Sequence, residues 1–94
     1  MDHRTNNLGY FNYRAAETHG DRMALLDLSH DPIAEITHAE LNGRMNRVAA
    51  ALSDQSLQVG DRILLAMGNR YEFIEAFFGC MRAGLIPIPL NIKL

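Results

Sequence analysis

Residues 60–91 read GDRILLAMGNRYEFIEAFFGCMRAGLIPIPLN, and the punctuation of this stretch decides the fold. A short apolar run, Ile63 to Met67, is broken by Gly68-Asn69. A helical segment follows from about Arg70 to Ala83, stops at Gly84, and gives way to a second apolar run, Leu85 to Leu90. Strand, helix and strand with short joints is a βαβ unit, whose two strands run parallel. The crossover is expected to be right-handed, the hand that packs the helix back onto a twisted sheet. Phe73, Ile74, Phe77, Phe78 and Met81 cover a wide arc of the helix, and Ala76, Cys80 and Ala83 add small faces. A helix apolar on nearly every side is a buried one. Interrupted by Glu72, Glu75 and Arg82, it is too short and too charged to span a bilayer. Pro87 and Pro89 alternate along the last strand, so both missing donors fall on one side and predict an edge or interrupted strand.

Working outward, Asn6 or Asn7 caps a first helix expected from about Leu8 to His19, with Gly20 as its stop. Gly9 weakens that helix by roughly 1 kcal/mol relative to alanine. Met23–Leu28 and Ile33–Thr37 read as the strands of a hairpin, joined by the turn chemistry of Ser29-His30-Asp31-Pro32. Thr37-His38-Ala39-Glu40 is a capping box. The helix it opens carries Leu41, Met45, Val48 and Leu52 on one stripe, with Arg44 and Arg47 facing away, and ends near Ser53 to Ser56. Leu57 to Asp61 turns into the βαβ unit. Asn69 to Glu72 repeats the capping logic for the buried helix. The expected class is α/β, a partial three-layer unit: helix, β-hairpin, capped helix, then a parallel βαβ. The chain stops at Leu94 with a greasy helix and both sheet faces still to cover, so it reads as an incomplete subdomain, residues 1–94, of a larger N-terminal domain.

Composition narrows the function. The chain has 94 residues, 48% hydrophobic and 21% charged, with a net charge of −2. Its basic residues are scattered, which argues against nucleic-acid binding. One cysteine, Cys80, excludes an internal disulfide and sits among phenylalanines as a small buried apolar residue. The polar N-terminus carries no secretory signal, and cytoplasmic location is the expectation.

No complete active site can be read from the residues. Gly79 to Gly84 has the spacing of a phosphate loop but lacks the following Lys-Ser/Thr and ends a helix, whereas phosphate binding uses a helix start. Gly79 is read as close packing and Gly84 as a left-handed helix stop. The glycine fingerprint of a dinucleotide-binding fold is missing. His3, His19, His30 and His38 show no metal-ligand spacing, and no metal site is expected. Ser29, His30 and Asp31 are turn neighbours, not a triad. Glu72 and Glu75 read as a solvated helix edge beside a cap. Asp61 and Arg62 read as a surface pair.

Taken in order, other residues form a pattern: Asn7-Leu8, Ala15-Ala16-Glu17, Asp21 to Leu25, Ile36 to Leu41, Asn46 to Ala49, Gly60 to Ile63, Asn69 with Glu72-Phe73, and Ala83-Gly84-Leu85-Ile86-Pro87-Ile88-Pro89-Leu90-Asn91 with Lys93-Leu94. This order resembles the N-terminal segment of the adenylate-forming enzymes (the AMP-dependent synthetases and ligases), above all the acyl-CoA synthetases, over Leu8 to Leu94. Ser56 departs from the pattern where the family usually has glycine. The resemblance implies a parent enzyme that couples a carboxylic acid and ATP to an acyl adenylate, then passes the acyl group to coenzyme A, with Mg2+ as metal. Its phosphate loop, its Thr-Glu pair, its ribose-binding aspartate and its C-terminal lysine lie downstream of these residues. No catalytic residue is therefore assigned here, and the chain alone is expected to be inactive. Lys93 occupies a basic position that in some CoA ligases lies near the CoA phosphates. The implied partner is the rest of the parent enzyme, and the isolated chain is expected to self-associate. A free-standing, non-catalytic interaction module of the same fold is the alternative.

Overall fold

The computed structural model describes residues 7–28, 32–66 and 71–90. The expected Gly68-Asn69 break, the Ser29–Asp31 turn, the Asn69 cap and Lys93 lie outside the described residues. In chain order the elements are a 3₁₀ turn (Leu8–Tyr10), α1 (Tyr13–Thr18), β1 (Met23–Asp27), β2 (Ala34–Thr37), α2 (His38–Ser53), β3 (Arg62–Leu65), α3 (Tyr71–Arg82) and β4 (Ile86–Pro89).

The βαβ reading holds. β3 and β4 pair in parallel, with Ile63 opposite Pro87 and Leu65 opposite Pro89. Gly84 ends the helix at φ 80°, a left-handed conformation that glycine adopts without a Cβ penalty. The Ile86 amide donates to Asp61 O at 2.8 Å and the Leu90 amide to Leu65 O at 3.0 Å. Alternation along the strand therefore turns Pro87 and Pro89 away from β3, toward the outer edge, where a missing donor breaks no ladder bond.

β1 and β2 form an antiparallel hairpin running from Met23 opposite Thr37 to Asp27 opposite Ala34, with an irregularity between Met23 and Leu25. The Thr37 hydroxyl accepts from the Glu40 amide at 3.2 Å and the Thr37 amide donates to Glu40 Oε1 at 3.1 Å. Both halves of the capping box are thus present at the start of α2.

The first helix is not continuous. Asn7 Oδ1 caps a single 3₁₀ turn by accepting from the Gly9 amide at 2.8 Å, and α1 starts afresh at Tyr13. The cause lies 73 residues away. Gly9 O accepts from Arg82 Nε at 2.7 Å, which takes the carbonyl a continuous helix would use for its i+4 amide. Gly9 also lies against α3 so closely that a Cβ there would stand 2.6 Å from Phe78 O. What the composition reads as a weak helix residue is a contact point between two backbones.

Two apolar clusters meet on the helices. Ile36, Leu41 and Met45 join the hairpin to α2, with Ile74 and Phe78 of α3 packed on them. Leu65, Cys80 and Leu85 join the parallel pair to α3, with Leu52 of α2 alongside. The helix pair thus lies between two small sheets. Gly79 lets α2 and α3 approach: a Cβ there would stand 2.6 Å from Val48 Cβ. The whole is a slab of 38 × 38 × 19 Å. Among the described residues, no helix is long and apolar enough to cross a membrane.

Candidate functional site

The polar side chains buried by this fold gather at the two ends of α3. At its C-terminal end Arg82 is 7% exposed. Besides Gly9 O, its guanidinium donates to Asn42 O at 3.1 Å, Asn46 Oδ1 at 2.7 Å and Asn12 Oδ1 at 3.0 Å. The Tyr10 ring lies 4.6 Å from its central carbon, a cation–π distance. Burial pulls its pKa below the ordinary arginine value, with Tyr10 acting the other way. Asn12, 2% exposed, donates its amide to His38 O at 3.3 Å. Asn7 ties in the last turn by donating to Met81 O at 2.7 Å. One fork of donors thus fastens the N-terminal turn, α1, α2 and α3 together, and these four acceptors are all neutral. A planar fork with five N–H groups suits this multidirectional task; a lysine point charge does not.

At the N-terminal end the buried Asp27 carboxylate of β1 accepts from the Tyr71 amide at 2.9 Å. It serves as a helix cap delivered from another strand, where a negative charge also suits the helix dipole. One turn on, Glu75 is 9% exposed and pairs with Arg44 of α2 at 3.3 Å. Burial raises the Glu75 pKa, and the charge of Arg44 opposes that rise. Arg44 also lies 5.6 Å from the Tyr71 ring centroid. Glu75 is not on a solvated edge, and Arg44 does not face away, because the α2–α3 contact folds both into one seam. Glu72 is partly buried, with Oε2 shielded from solvent and without a hydrogen-bond partner.

Neither cluster is built for bond-making. Each pairs cations and amides with oxygens, without a nucleophile held against a base. Cys80 is buried, and desolvation raises its thiol pKa, the opposite of an activated thiolate. The Asp61 carboxylate accepts from the Gln58 amide at 2.9 Å; it closes the turn before β3, where the sequence suggested a surface pair with Arg62. Among the described residues no group of three His, Cys, Asp or Glu is placed to hold a metal ion. Arg82, Asn12 and Asp27 carry no local signature in the sequence, since each acts on backbone many residues away.

The fold is a mixed α/β unit of two small sheets and two packed helices. The family model for AMP-binding enzyme matches residues 12–94, and the chain belongs to that family. It is 36% identical over 80 residues to a crotonobetaine/carnitine–CoA ligase of Salmonella paratyphi A, covering 84% of this chain and 16% of that protein. It is 40% identical over 75 residues to a salicyl-AMP ligase/salicyl-S-ArCP synthetase of Mycobacterium tuberculosis, covering 79% and 13%. The crystal structure of a benzoate CoA ligase from Burkholderia xenovorans superposes with a TM-score of 0.80 at 31% identity, over 94% of this chain and 17% of that one. The chain therefore spans about a sixth of the length of the relatives it matches.

Proposed function

We propose that this chain is the N-terminal structural segment of an AMP-forming acyl-CoA synthetase. In the reaction assigned to the whole enzyme, a carboxylate oxygen attacks the α-phosphorus of ATP. Acyl-AMP forms and pyrophosphate leaves. The thiol of coenzyme A then attacks the acyl carbon, forming the thioester and releasing AMP. The observation that carries this reading is the family match over residues 12–94. The relatives' names agree with it: one is a CoA ligase, the other an AMP ligase.

In this reading the chain supplies architecture. The Arg82 fork and the Asp27 cap hold both ends of α3 while the helix bears on the parallel strands. Lys93 stands as a point charge for the CoA phosphates in the assembled enzyme, and the whole protein works in the cytoplasm. The phosphate loop and the other reactive groups come from other residues of the parent enzyme, so the isolated chain is inactive. Incubating the purified chain with Mg2+, ATP, labelled pyrophosphate and a panel of aliphatic and aromatic acids tests this. The expected result is no time-dependent exchange of label into ATP. Exchange that scales with chain concentration would overturn the purely structural role.

A further inference from the structure

The segment before β1 is held to the rest of the fold by a different chemistry from the rest of the fold itself. Among the described residues, neither apolar cluster contains one before Ala24. α1 buries no residue, and Leu8 and Phe11 stay 65% and 51% exposed. The bonds that hold the segment down are polar: Asn7 to Met81 O, Arg82 to Gly9 O and to Asn12 Oδ1, and Asn12 to His38 O. Phe11, whose ring centroid lies 4.6 Å from that of Phe78, adds an apolar touch. The far end is pinned by backbone alone. Gly20 O accepts from the Ala39 amide and Arg22 O from the His38 amide, both at 3.0 Å, so residues 20–22 are tied to the start of α2.

Closing this segment over the helices also has a cost. Arg82 is kept from water among neutral acceptors, where no opposite charge offsets its desolvation. His38 Nδ1 and Asn42 Oδ1 are buried without a hydrogen-bond partner, on the α2 turns that Asn12 and Arg82 grip. Unpaired buried polar atoms weigh against the closed state. An element with few buried apolar contacts belongs to the low-stability end of a fold. From these observations we infer that residues 7–19 are a strap that opens as one unit about residues 20–22, while α2, α3 and both sheets stay folded. Opening breaks the polar bonds to Asn7, Gly9 and Asn12 together and uncovers the Arg82 guanidinium beside the Phe78 ring. The inference does not depend on the ligase reading.

Hydrogen exchange of the 94-residue chain at low urea tests it, with the Ala16 and His19 amides and the Arg82 Nε–H as reporters. Each is hydrogen-bonded in the closed strap, to Asn12 O, Ala15 O and Gly9 O. The three are expected to share one protection factor, at least about tenfold below that of the slowest amides of α2 and α3. Leu65→Ala, a cavity in the cluster away from the strap, is expected to speed those slowest amides at least about 30-fold and to leave the three reporters unchanged. Asn7→Ala, which removes a cap and a strap bond, is expected to speed all three reporters by about tenfold. Two results overturn the inference. If L65A speeds the reporters by the same factor as the core, the strap opens only when the whole chain unfolds. If the Arg82 Nε–H keeps the protection of the core while Ala16 and His19 exchange faster, α1 frays alone and the strap is not a unit. Should L65A not fold, the urea dependence of the wild-type rates decides: a slope for the reporters well below that of the core supports a local opening, and an equal slope overturns it.

Discussion

Replacing Arg82 by methionine tests whether the guanidinium fork holds the fold together. Two effects compete. Exchanging buried ionic groups for apolar residues of similar size is often neutral or even stabilising, because charge desolvation disappears. That outcome requires the partners to be replaced as well, and here they remain. Of the four acceptors, Asn42 O lies mid-helix in α2 and Asn46 is exposed, so the helix ladder and water can serve them. Gly9 O and Asn12 Oδ1 are different: both of their bonds to Arg82 are buried. Each orphaned acceptor costs about 1–3 kcal/mol. Part of that is offset by relief of the buried charge, which leaves a net loss of about 3 kcal/mol. A domain of this size is stable by only about 5–14 kcal/mol. Urea unfolding followed by circular dichroism should show the midpoint falling by roughly 1–3 M for a slope of about 1–3 kcal/mol/M. Arg82→Lys, which keeps the charge but loses the fork, should fall between wild type and R82M. An R82M midpoint within about 0.3 M of wild type would refute the claim that this fork fastens the N-terminal turn.

Gly79→Ala should lower the melting temperature although alanine favours helix by about 1 kcal/mol. The new Cβ meets Val48 Cβ at 2.6 Å, an atom no rotamer change can move, and overpacking of this kind costs about 1–3 kcal/mol; a raised melting temperature would refute the close-packing role. Glu75 and Glu40 should pull pH-dependent stability in opposite directions. Burial raises the Glu75 pKa in the folded state, so the fold holds its proton more tightly and stability falls as pH rises from the unfolded value through the folded one. Relative to wild type, Glu75→Gln should therefore gain stability across that window. The Glu40 pKa is lowered by its bond from the Thr37 backbone. Its contribution is present above the ordinary value of 4.5 and is lost as pH falls through the folded value, so Glu40→Gln should flatten the acid limb. Unfolding curves at stepped pH check both signs. The Cys80 thiol should react with a disulfide reagent only on unfolding; rapid labelling of the folded chain would contradict its burial.

What could be read in advance follows the range of each interaction. The Thr37–Glu40 capping box, the Gly84 stop and the outward prolines are local devices, and each occurs where the residues place it. The parallel pairing also follows from strand–helix–strand order, since the connection is too long for a hairpin. The broken first helix was not legible, because the group that takes Gly9 O is Arg82, a residue that by itself reads as surface charge. Arg44 and Glu75 were misjudged for the same reason: helical periodicity assigns a face, but only the α2–α3 contact decides that this face is closed. Asp27, inside the expected strand Met23–Leu28, caps a helix 44 residues later. The family resemblance was legible because it rests on the order of many weak local patterns, and its one candidate ligand residue, Lys93, lies outside the described residues.

The central claim is that the chain is one segment of an acid-activating ligase. Reading the source gene immediately downstream of the Leu94 codon tests it most directly. The account predicts an open frame that soon encodes a Ser/Thr-Gly-Thr-Thr-Gly-x-Pro-Lys phosphate loop. A stop codon at that point would contradict it and leave a free-standing module whose partner must be sought elsewhere.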